Sequence, residues 1–217
     1  MTDYTALRTT MVDTQVRPSD VTKYTVIEAM LNVPRESFVP RDRRCAAYVG
    51  EHLNLGAGRI VMDPRVLAKM LDVLDIQKDE LVLDVGSGLG YSAAVISRMA
   101  EAVIAVEDDE ERAAEAQMAL SEHGADNAVV HAGALTDGAA EHGPYDVIII
   151  QGGVEFLPDG LNLQLKDGGR IVTLFMEGAL GAVRIGYKID GDINWRLVFN
   201  ASAPVLPGFE KHHAFKL

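Results

Sequence analysis

The chain has 217 residues, 48% of them hydrophobic, a composition typical of one globular unit with a sizeable core. Thirty-two acidic residues against twenty basic ones give a net charge of -12, which repels a phosphate backbone and argues against a nucleic-acid partner. The single cysteine, Cys45, cannot form an internal disulfide, which suits a reducing cytoplasm. The sequence shows neither a signal peptide nor an apolar run of the ~20 residues that span a bilayer, so no membrane partner is expected.

The N-terminal residues show helical patterns. The spacing of apolar residues predicts a helix over 19–31, which Ser19 or Asp20 caps and which ends before Pro34. A second, short helix is predicted over 41–49. Four arginines form a candidate basic patch here and are interpreted as a solvated helix edge: Arg35, Arg41, Arg43 and Arg44.

Residues 50–62 carry three glycines and no helical period, so they are expected to form a loop or a short hairpin. Asp63-Pro64 then has the signature of a helix start, because the acid can cap the helix and proline is favoured in its first turn.

Strands and helices alternate after Asp75. Strands are predicted at 81–85, 102–106, 128–131, 145–150 and 170–175, and helices at 91–100, 108–123 and within 155–165. This order requires a parallel sheet with right-handed crossovers. The last strands, 183–189 and 193–199, flank the hairpin signal Asp190-Gly191 and are expected to be antiparallel. The predicted fold class is α/β: a Rossmann-like, doubly wound, mostly parallel seven-stranded sheet with antiparallel C-terminal strands and an N-terminal helical extension.

The segment Leu81–Tyr91 points to chemistry. An apolar strand carrying Asp84 near its end is followed by glycines at 86, 88 and 90 and then by a helix, and the next strand ends in Glu107. The glycines let the backbone approach a ligand with no Cβ in the way. A carboxylate at the end of the second strand can accept from both hydroxyls of a ribose. This arrangement is typical of a nucleoside-cofactor cradle.

The spacing of the glycines distinguishes between two cofactor classes. The dinucleotide fingerprint places glycine or alanine three positions after its second glycine, so that helix and strand pack closely. Here that position, counted from Gly88, is Tyr91, and the third glycine is Gly90. The pattern Gly-x-Gly-x-Gly resembles the first motif of S-adenosylmethionine-dependent methyltransferases. S-adenosylmethionine is therefore the predicted cofactor, and a nicotinamide dinucleotide is the alternative.

Several further motifs accompany this turn. Residues 26–40 are followed along the chain by Ala47-Tyr48, Leu55-Gly-Ala-Gly58, Asp63-Pro64, Leu83–Tyr91, Val106-Glu107, Tyr145–Ile149 and Leu165–Gly169. In sequence and in order, these segments resemble the protein-L-isoaspartate O-methyltransferase family. The likeness covers residues 12 to 175 and is weaker after Phe175.

The resemblance implies a set of site residues. Asp84 would face the amino end of the cofactor and Glu107 its ribose. The implied cofactor-binding residues are Asp84, Gly86, Ser87, Gly88, Glu107, Gly133 and Ala134. The implied acceptor pocket contains Val61, Met62 and Gln151. No catalytic side chain is identified. No metal site is expected, because the adjacent His212-His213 have no clustered partners and are interpreted as surface residues.

Three positions depart from the family pattern. Met62 stands where the family's Thr-Ile-Ser-x-Pro segment has the serine implicated in catalysis. The stretch 151–154 replaces Thr-Ala-Ala, and Ala134 replaces an acid that faces the adenine amino group. Methyl transfer to an ionised carboxylate needs little proton chemistry, since most of the catalysis comes from alignment and exclusion of water. Met62 therefore does not by itself abolish methyl transfer, but it leaves the identity of the methyl acceptor open.

The predicted function is S-adenosylmethionine-dependent O-methylation of a carboxylate on a damaged protein or peptide, in a cytoplasmic protein. The alternatives are a methyltransferase for another acceptor, or a non-catalytic S-adenosylmethionine-binding interaction module. Residues 1–62 are expected to form a helical extension with the acceptor-side loop, and residues 63–217 the cofactor-binding α/β domain, within a single compact unit. The loops at 55–63 and 151–158 would shape the acceptor pocket. The oligomeric state is left open.

Overall fold

A central sheet of seven strands dominates the structure, a computed structural model that describes residues 2–211. In chain order the strands are β1 (Leu53–Gly56), β2 (Arg59–Val61), β3 (Leu81–Val85), β4 (Ala102–Glu107), β5 (Ala128–Ala132), β6 (Tyr145–Val154), β7 (Leu165–Glu177), β8 (Leu180–Ile189) and β9 (Asp192–Asn200). The sheet order is β5-β4-β3-β6-β7-β8-β9, in which β3 to β7 are parallel and β8 and β9 antiparallel. The predicted mostly parallel, Rossmann-like sheet is confirmed.

Helices cover both faces of this sheet. They are α1 (Tyr4–Met11), α2 (Tyr24–Asn32), α3 (Pro64–Leu74), α4 (Tyr91–Ser97), α5 (Glu110–Glu122) and α6 (Asp159–Gln164). The predicted start of α3 is confirmed, since the carboxylate of Asp63 accepts from the backbone N–H of Arg65 at 2.7 Å and of Val66 at 3.3 Å. Within residues 2–211, no helix is long and apolar enough to cross a membrane.

The strands divide their apolar side chains between two cores. Successive residues of a strand point to opposite faces, so Val82 lies in one cluster and its neighbour Leu83 in the other. The first cluster also contains the buried residues of α1 to α4, which place the N-terminal segment on one face of the sheet. The second cluster includes Leu206 and Phe209, from the segment that follows β9.

The N-terminal segment differs from its predicted elements. The sequence pattern does not predict α1, and the helix predicted over 19–31 begins only at Tyr24. The predicted caps are wrong because Asp20 adopts a left-handed conformation, φ 63°, at the end of the preceding turn. The carboxylate of Asp72 instead accepts from two backbone N–H groups just before α2.

The basic patch also needs correction. The helix predicted over 41–49 is a 3₁₀ segment, Arg41–Ala46, and its arginines are exposed as expected. Arg35, however, is fully buried. Its neighbours along the chain gave no sign of this, because the groups that accept from its guanidinium come from residues 12 and 27 positions away.

The segment between the N-terminal helices and α3 is a hairpin rather than an open loop. Strands β1 and β2 pair antiparallel in a two-stranded sheet separate from the central one, with Leu53 opposite Val61. The tip is Gly56-Ala57-Gly58, and all three residues have positive φ. The glycines permit this tight reversal.

Strands β6 and β7 are longer than predicted. The stretch 151–154, expected in the loop at 151–158, is the end of β6, because it pairs both with β7 and with Val205 of the chain after β9. The expected turn at 166–169 lies within β7 as an irregularity in the pairing with β6. The hairpin at Asp190-Gly191 is confirmed, with φ of 53° and 86°.

Candidate functional site

The glycine turn lies between β3 and α4, at the carboxyl ends of the parallel strands. Gly86 and Gly88 have φ of 82° and 60°, a region that side chains with a Cβ rarely adopt. The N–H groups of Gly86 and Ser87 donate to the carbonyl of Val106 at 2.9 and 3.2 Å and join the turn to β4. These hydrogen bonds fix the turn at this edge of the sheet.

Glu107, the last residue of β4, is fully buried beside the turn. Its Oε2 accepts from the N–H of Gly88 at 2.9 Å and from Nη2 of Arg59 at 2.5 Å, while its Oε1 accepts from Nη1 of Arg112 at 2.6 Å. Burial alone raises the pKa of Glu107, but the two guanidinium groups outweigh it and hold the pKa below its usual value. The carboxylate is thus ionised and already satisfied by protein donors.

Asp84, on β3, is the second buried carboxylate. Its Oδ2 accepts from the hydroxyl of Ser92 at 2.6 Å, and its Oδ1 accepts from the amide of Gln151 at 2.8 Å. Burial raises the pKa of Asp84 to about 6, because these two neutral donors only partly offset the loss of hydration. The structure therefore joins Gln151, predicted for the acceptor pocket, directly to the predicted cofactor carboxylate.

Arg59 lies across the turn, although the sequence analysis assigns it no role. It is 1% exposed, on β2 of the hairpin, and its Nη1 would lie 2.8 Å from a Cβ placed on Gly86. Among residues 2–211 that nitrogen has no hydrogen-bond partner. The sequence signal was the position of Arg59 directly before the apolar residues Ile60 and Val61. A cation buried with such residues requires a partner of opposite charge.

The chain after β9 covers the other side of the turn. The N–H of Gly153 donates to the carbonyl of Pro204 at 2.8 Å, and the N–H of Leu206 donates to the carbonyl of Gly153 at 2.9 Å. The side chain of Leu206 would lie 2.6 Å from a Cβ on Gly152 and 3.4 Å from one on Gly86. Sequence reasoning missed this segment, whose signal was the apolar residues at 205, 206 and 209.

The predicted acceptor residues do lie together. Val61, Met62 and Gln151 are 6%, 2% and 3% exposed and line one enclosed space with Ser87. Its volume is about 10 Å³, room for at most one water molecule. The three residues are therefore adjacent to the turn, within a closed pocket.

Buried Arg35 supports the backbone of this pocket. Its Nε donates to the carbonyl of Ala47 and its Nη2 to the carbonyl of Met62, each at 2.7 Å. Its guanidinium also lies over the ring of Tyr91, 4.6 Å from the centroid. Arg35 thus links the N-terminal segment, the acceptor-side backbone and the first residue of α4.

The two residues predicted at the adenine end lie just after β5. The N–H of Gly133 donates to the carbonyl of Glu107 at 2.9 Å, which places this loop beside the end of β4. Ala134 is exposed and presents no side-chain acceptor. Nearby Asp137 is also exposed.

No residue of the turn belongs to a metal-like cluster. Within the described part of the chain, the group whose ligand atoms lie within 4.8 Å of one another is His131, Glu141 and His142, all outside the turn. His212-His213, interpreted from the sequence as surface residues, fall outside the described residues. The expectation of no metal site stays a prediction.

The site fits S-adenosylmethionine in its backbone and its polar groups. The turn accepts a ligand at Gly86 and Gly88 without a Cβ, and carboxylates suited to an ammonium group and to a ribose stand on either side. The fit fails in space, since Arg59, Leu55 and Leu206 lie within contact distance of the positions that the missing Cβ atoms leave free. The acceptor groups of the site are therefore suitable, while the positions of these three side chains close the space that the cofactor would need.

Comparison with known proteins identifies relatives along most of the chain. The family model described as Protein-L-isoaspartate(D-aspartate) O-methyltransferase (PCMT) matches residues 8–188. A protein-L-isoaspartate O-methyltransferase of Roseiflexus castenholzii is 35% identical over 170 residues, which are 78% of this chain and 78% of the relative. A protein-L-isoaspartate O-methyltransferase 2 of Anaeromyxobacter sp. is 38% identical over 178 residues, 82% of this chain and 72% of the relative. The family resemblance predicted from the motifs is confirmed.

Two solved structures share the fold. A protein-L-isoaspartate O-methyltransferase structure gives a TM-score of 0.78 at 23% identity, over 95% of this chain and 66% of that one. A Plasmodium falciparum structure, described as a protein-L-isoaspartate O-methyltransferase in complex with S-adenosyl-L-homocysteine, gives 0.78 at 18% identity, over 95% of this chain and 99% of that one. Both show that this chain shares the fold of those structures.

Proposed function

The chain belongs to the protein-L-isoaspartate(D-aspartate) O-methyltransferase family, and we propose that it transfers the methyl group of S-adenosylmethionine to a carboxylate on a damaged protein or peptide. The observation that carries this proposal is the family match over residues 8–188, which includes both the glycine turn and the acceptor-side hairpin. We also propose that the protein is cytoplasmic and that its partner is a protein or peptide acceptor. S-adenosylmethionine, when bound, supplies an electrophilic methyl group on a sulfonium centre.

The proposed cofactor contacts follow from the positions around the turn. The backbone of Gly86, Ser87 and Gly88 offers close approach, and Asp84 and Glu107 flank it on neighbouring strands. We assign Asp84 to the ammonium group and Glu107 to the ribose hydroxyls, since both carboxylates have two oxygens that accept hydrogen bonds. The loop at Gly133-Ala134, of which Ala134 is exposed, would border the adenine.

The acceptor side would act by alignment rather than by proton transfer. The acceptor carboxylate is ionised near neutral pH, so the protein needs no general base, and exclusion of water together with in-line placement supplies most of the acceleration. Val61 and Met62 offer an apolar wall for this, and the amide of Gln151 is the polar group beside them. Arg35 would hold the wall in position through the carbonyl of Met62.

Transfer of a labelled methyl group tests this function directly. The protein is incubated with radiolabelled S-adenosylmethionine and an isoaspartyl peptide, with the same peptide carrying a normal aspartyl residue as the matched control. We expect incorporation into the isoaspartyl peptide only, as a base-labile ester. Absence of label in that peptide, with S-adenosylmethionine shown by calorimetry to bind, would refute the isoaspartyl assignment.

A methyltransferase for another acceptor is the second candidate. It is favoured by Met62, which cannot donate a hydrogen bond where the family's Thr-Ile-Ser-x-Pro motif has a serine, and by Gln151, whose amide is already used on Asp84. Label incorporated into a protein or metabolite of a cell extract, but not into the isoaspartyl peptide, would favour this candidate. Binding without any incorporation would favour a non-catalytic cofactor-binding module.

A further inference from the structure

The carboxylate proposed to hold the ribose is bound by the chain's own arginine. Arg59 donates to Glu107 from Nη2 at 2.5 Å, and its Nε lies 3.5 Å from Oδ1 of Asp108. Both Arg59 and Glu107 are buried, with 1% and 0% of their surface exposed. The guanidinium therefore takes Oε2, one of the two acceptor atoms that ribose hydroxyls would need, while Arg112 holds Oε1.

Such a pair is not displaced by passive competition. Both a guanidinium and a hydroxyl make charge-assisted hydrogen bonds to an ionised carboxylate, but only the guanidinium also carries a full opposite charge. If Arg59 left Glu107 but stayed inside the dry site, its guanidinium would be a buried charge without its main partner, which is strongly unfavourable. Access to Glu107 thus requires the whole arginine side chain to leave the interior, where it can be hydrated.

The element that carries Arg59 is separate from the central sheet. Strands β1 and β2 form their own two-stranded sheet, and their turn, residues 56–58, is exposed. Leu55, on the opposite strand, would lie 2.9 Å from a Cβ on Gly88, so both strands of the hairpin cover the glycine turn. Leu55 also lines an open groove of about 390 Å³ with Leu89 and Arg112, which an outward movement of the hairpin would connect to the turn.

We propose that the hairpin Leu53–Val61 is a lid and that Arg59 is its latch, which closes the cofactor site by pairing with Glu107. In the closed state Arg59 replaces the ribose as the partner of Glu107. In the open state the arginine is hydrated outside, and the carboxylate accepts the ribose hydroxyls. Arg59 thereby sets how tightly this chain binds its cofactor. The inference depends on the proposed function only through the identity of that ligand.

Calorimetric titration with S-adenosyl-L-homocysteine tests the latch. Arg59→Gln removes the ion pair over the turn and keeps a side chain of similar reach, so its affinity should rise about tenfold or more, because closure no longer competes with binding. The matched control is Arg112→Gln, which removes the other ion pair of Glu107 from a position on α5 that does not cover Gly86. Affinity of the control should stay equal to the wild type or fall. Equal gains in both variants would overturn the latch.

A second variant and a second readout keep the test independent of folding defects. Leu55→Ala opens the Gly88 side without touching an ion pair, and its affinity should rise as well. Hydrogen exchange of the unliganded proteins should be faster over residues 53–61 in Arg59→Gln than in the wild type, with β3 and β4 unchanged. Unchanged exchange in the hairpin would overturn the lid.

The binding outcomes separate the latch from the function. Wild type and Arg59→Gln binding with the same affinity would overturn the latch and leave the proposed function intact. Binding by Arg59→Gln but not by the wild type would support the latch and refute cofactor-dependent activity of the native chain. Binding by neither protein would refute both.

Discussion

Asp84 and Glu107 are both fully buried at the same edge of the sheet, yet their pKa values move in opposite directions. Burial dominates at Asp84, whose partners Ser92 and Gln151 are neutral. At Glu107 burial is outweighed by Arg59 and Arg112. Neutral donors cannot compensate the lost hydration of a charge as guanidinium groups do. Of the two, Asp84 is therefore the group that changes protonation near pH 6.

Asp84→Asn should stabilise the protein at pH 8 and have little effect at pH 4.5. The pKa of about 6 lies above the ordinary 3.8, so the folded state binds the extra proton and the free energy of unfolding falls as pH rises from about 4 to 6. Above that window the buried charge costs on the order of 1–3 kcal/mol, which asparagine removes. Thermal unfolding at the two pH values measures this. A variant less stable than the wild type at pH 8 would contradict the shift.

Gly88→Ala and Gly178→Ala form a matched pair. The two glycines have φ of 60° and 59°, but a Cβ on Gly88 meets Leu55 at 2.9 Å, whereas one on Gly178 meets nothing within 4 Å. Backbone strain of about 1–2 kcal/mol is common to both. Urea unfolding should show a larger loss of unfolding free energy for Gly88→Ala than for Gly178→Ala. The proposed function predicts that only Gly88→Ala also loses its affinity for S-adenosyl-L-homocysteine. Equal losses would show that the turn is not crowded.

At the scale of elements, the segment after β9 acts as a structural part of the sheet edge. Residues 203–209 pair with the end of β6 and bury Leu206 and Phe209 completely. This pairing keeps the stretch 151–154 extended and so aims Gln151 at Asp84. The closed site therefore depends on a segment far from the glycine turn in sequence.

Leu206→Ala should lower the free energy of unfolding by about 2–5 kcal/mol, the usual cost of removing a buried leucine side chain. Leu206 is fully buried, and its side chain contacts the glycine positions of both β6 and the turn. Leu180→Ala is the control, because Leu180 is 78% exposed on β8 and should change stability by less than about 0.5 kcal/mol. Chemical denaturation compares the two. Similar small losses would mean that the segment does not pack as described.

At the scale of the molecule, the N-terminal extension and the α/β part share one core. A single cluster of buried residues includes Met11, Met30 and Phe38 together with sheet residues such as Val103 and Val172. Arg35 adds hydrogen bonds across the same boundary. We therefore infer that the segments 1–62 and 63–217, assigned from the sequence as extension and cofactor domain, unfold together.

Two probes can test this cooperativity. Cys45, the single cysteine, is exposed in the N-terminal segment and can carry a fluorophore, while Trp195, the single tryptophan, lies on β9. Both signals should report the same midpoint in urea, because neither part keeps its buried apolar surface without the other. An earlier transition at Cys45 would show that the extension unfolds on its own.

The elements could be predicted where their determinants are local. The alternation of apolar residues, the cap at Asp63, the turn at Asp190-Gly191 and the glycine spacing each operate within a few residues, so the succession of strands and helices along the chain followed from the sequence. The start of α2 and the ends of β6 and β7 were misplaced, because partners distant in the chain decide them. Asp72 and Val205 are two such partners.

The sequence by itself determined the family, the fold class and the residue types around the glycine turn. Only the tertiary structure decided which donors satisfy those residues: Arg59 reaches Glu107 across 48 positions, and Gln151 reaches Asp84 across 67. The physical reason is that a carboxylate removed from water takes whichever donor the packing brings within about 3 Å. Packing of this kind depends on the whole chain, while a sequence motif shows only that a carboxylate is present.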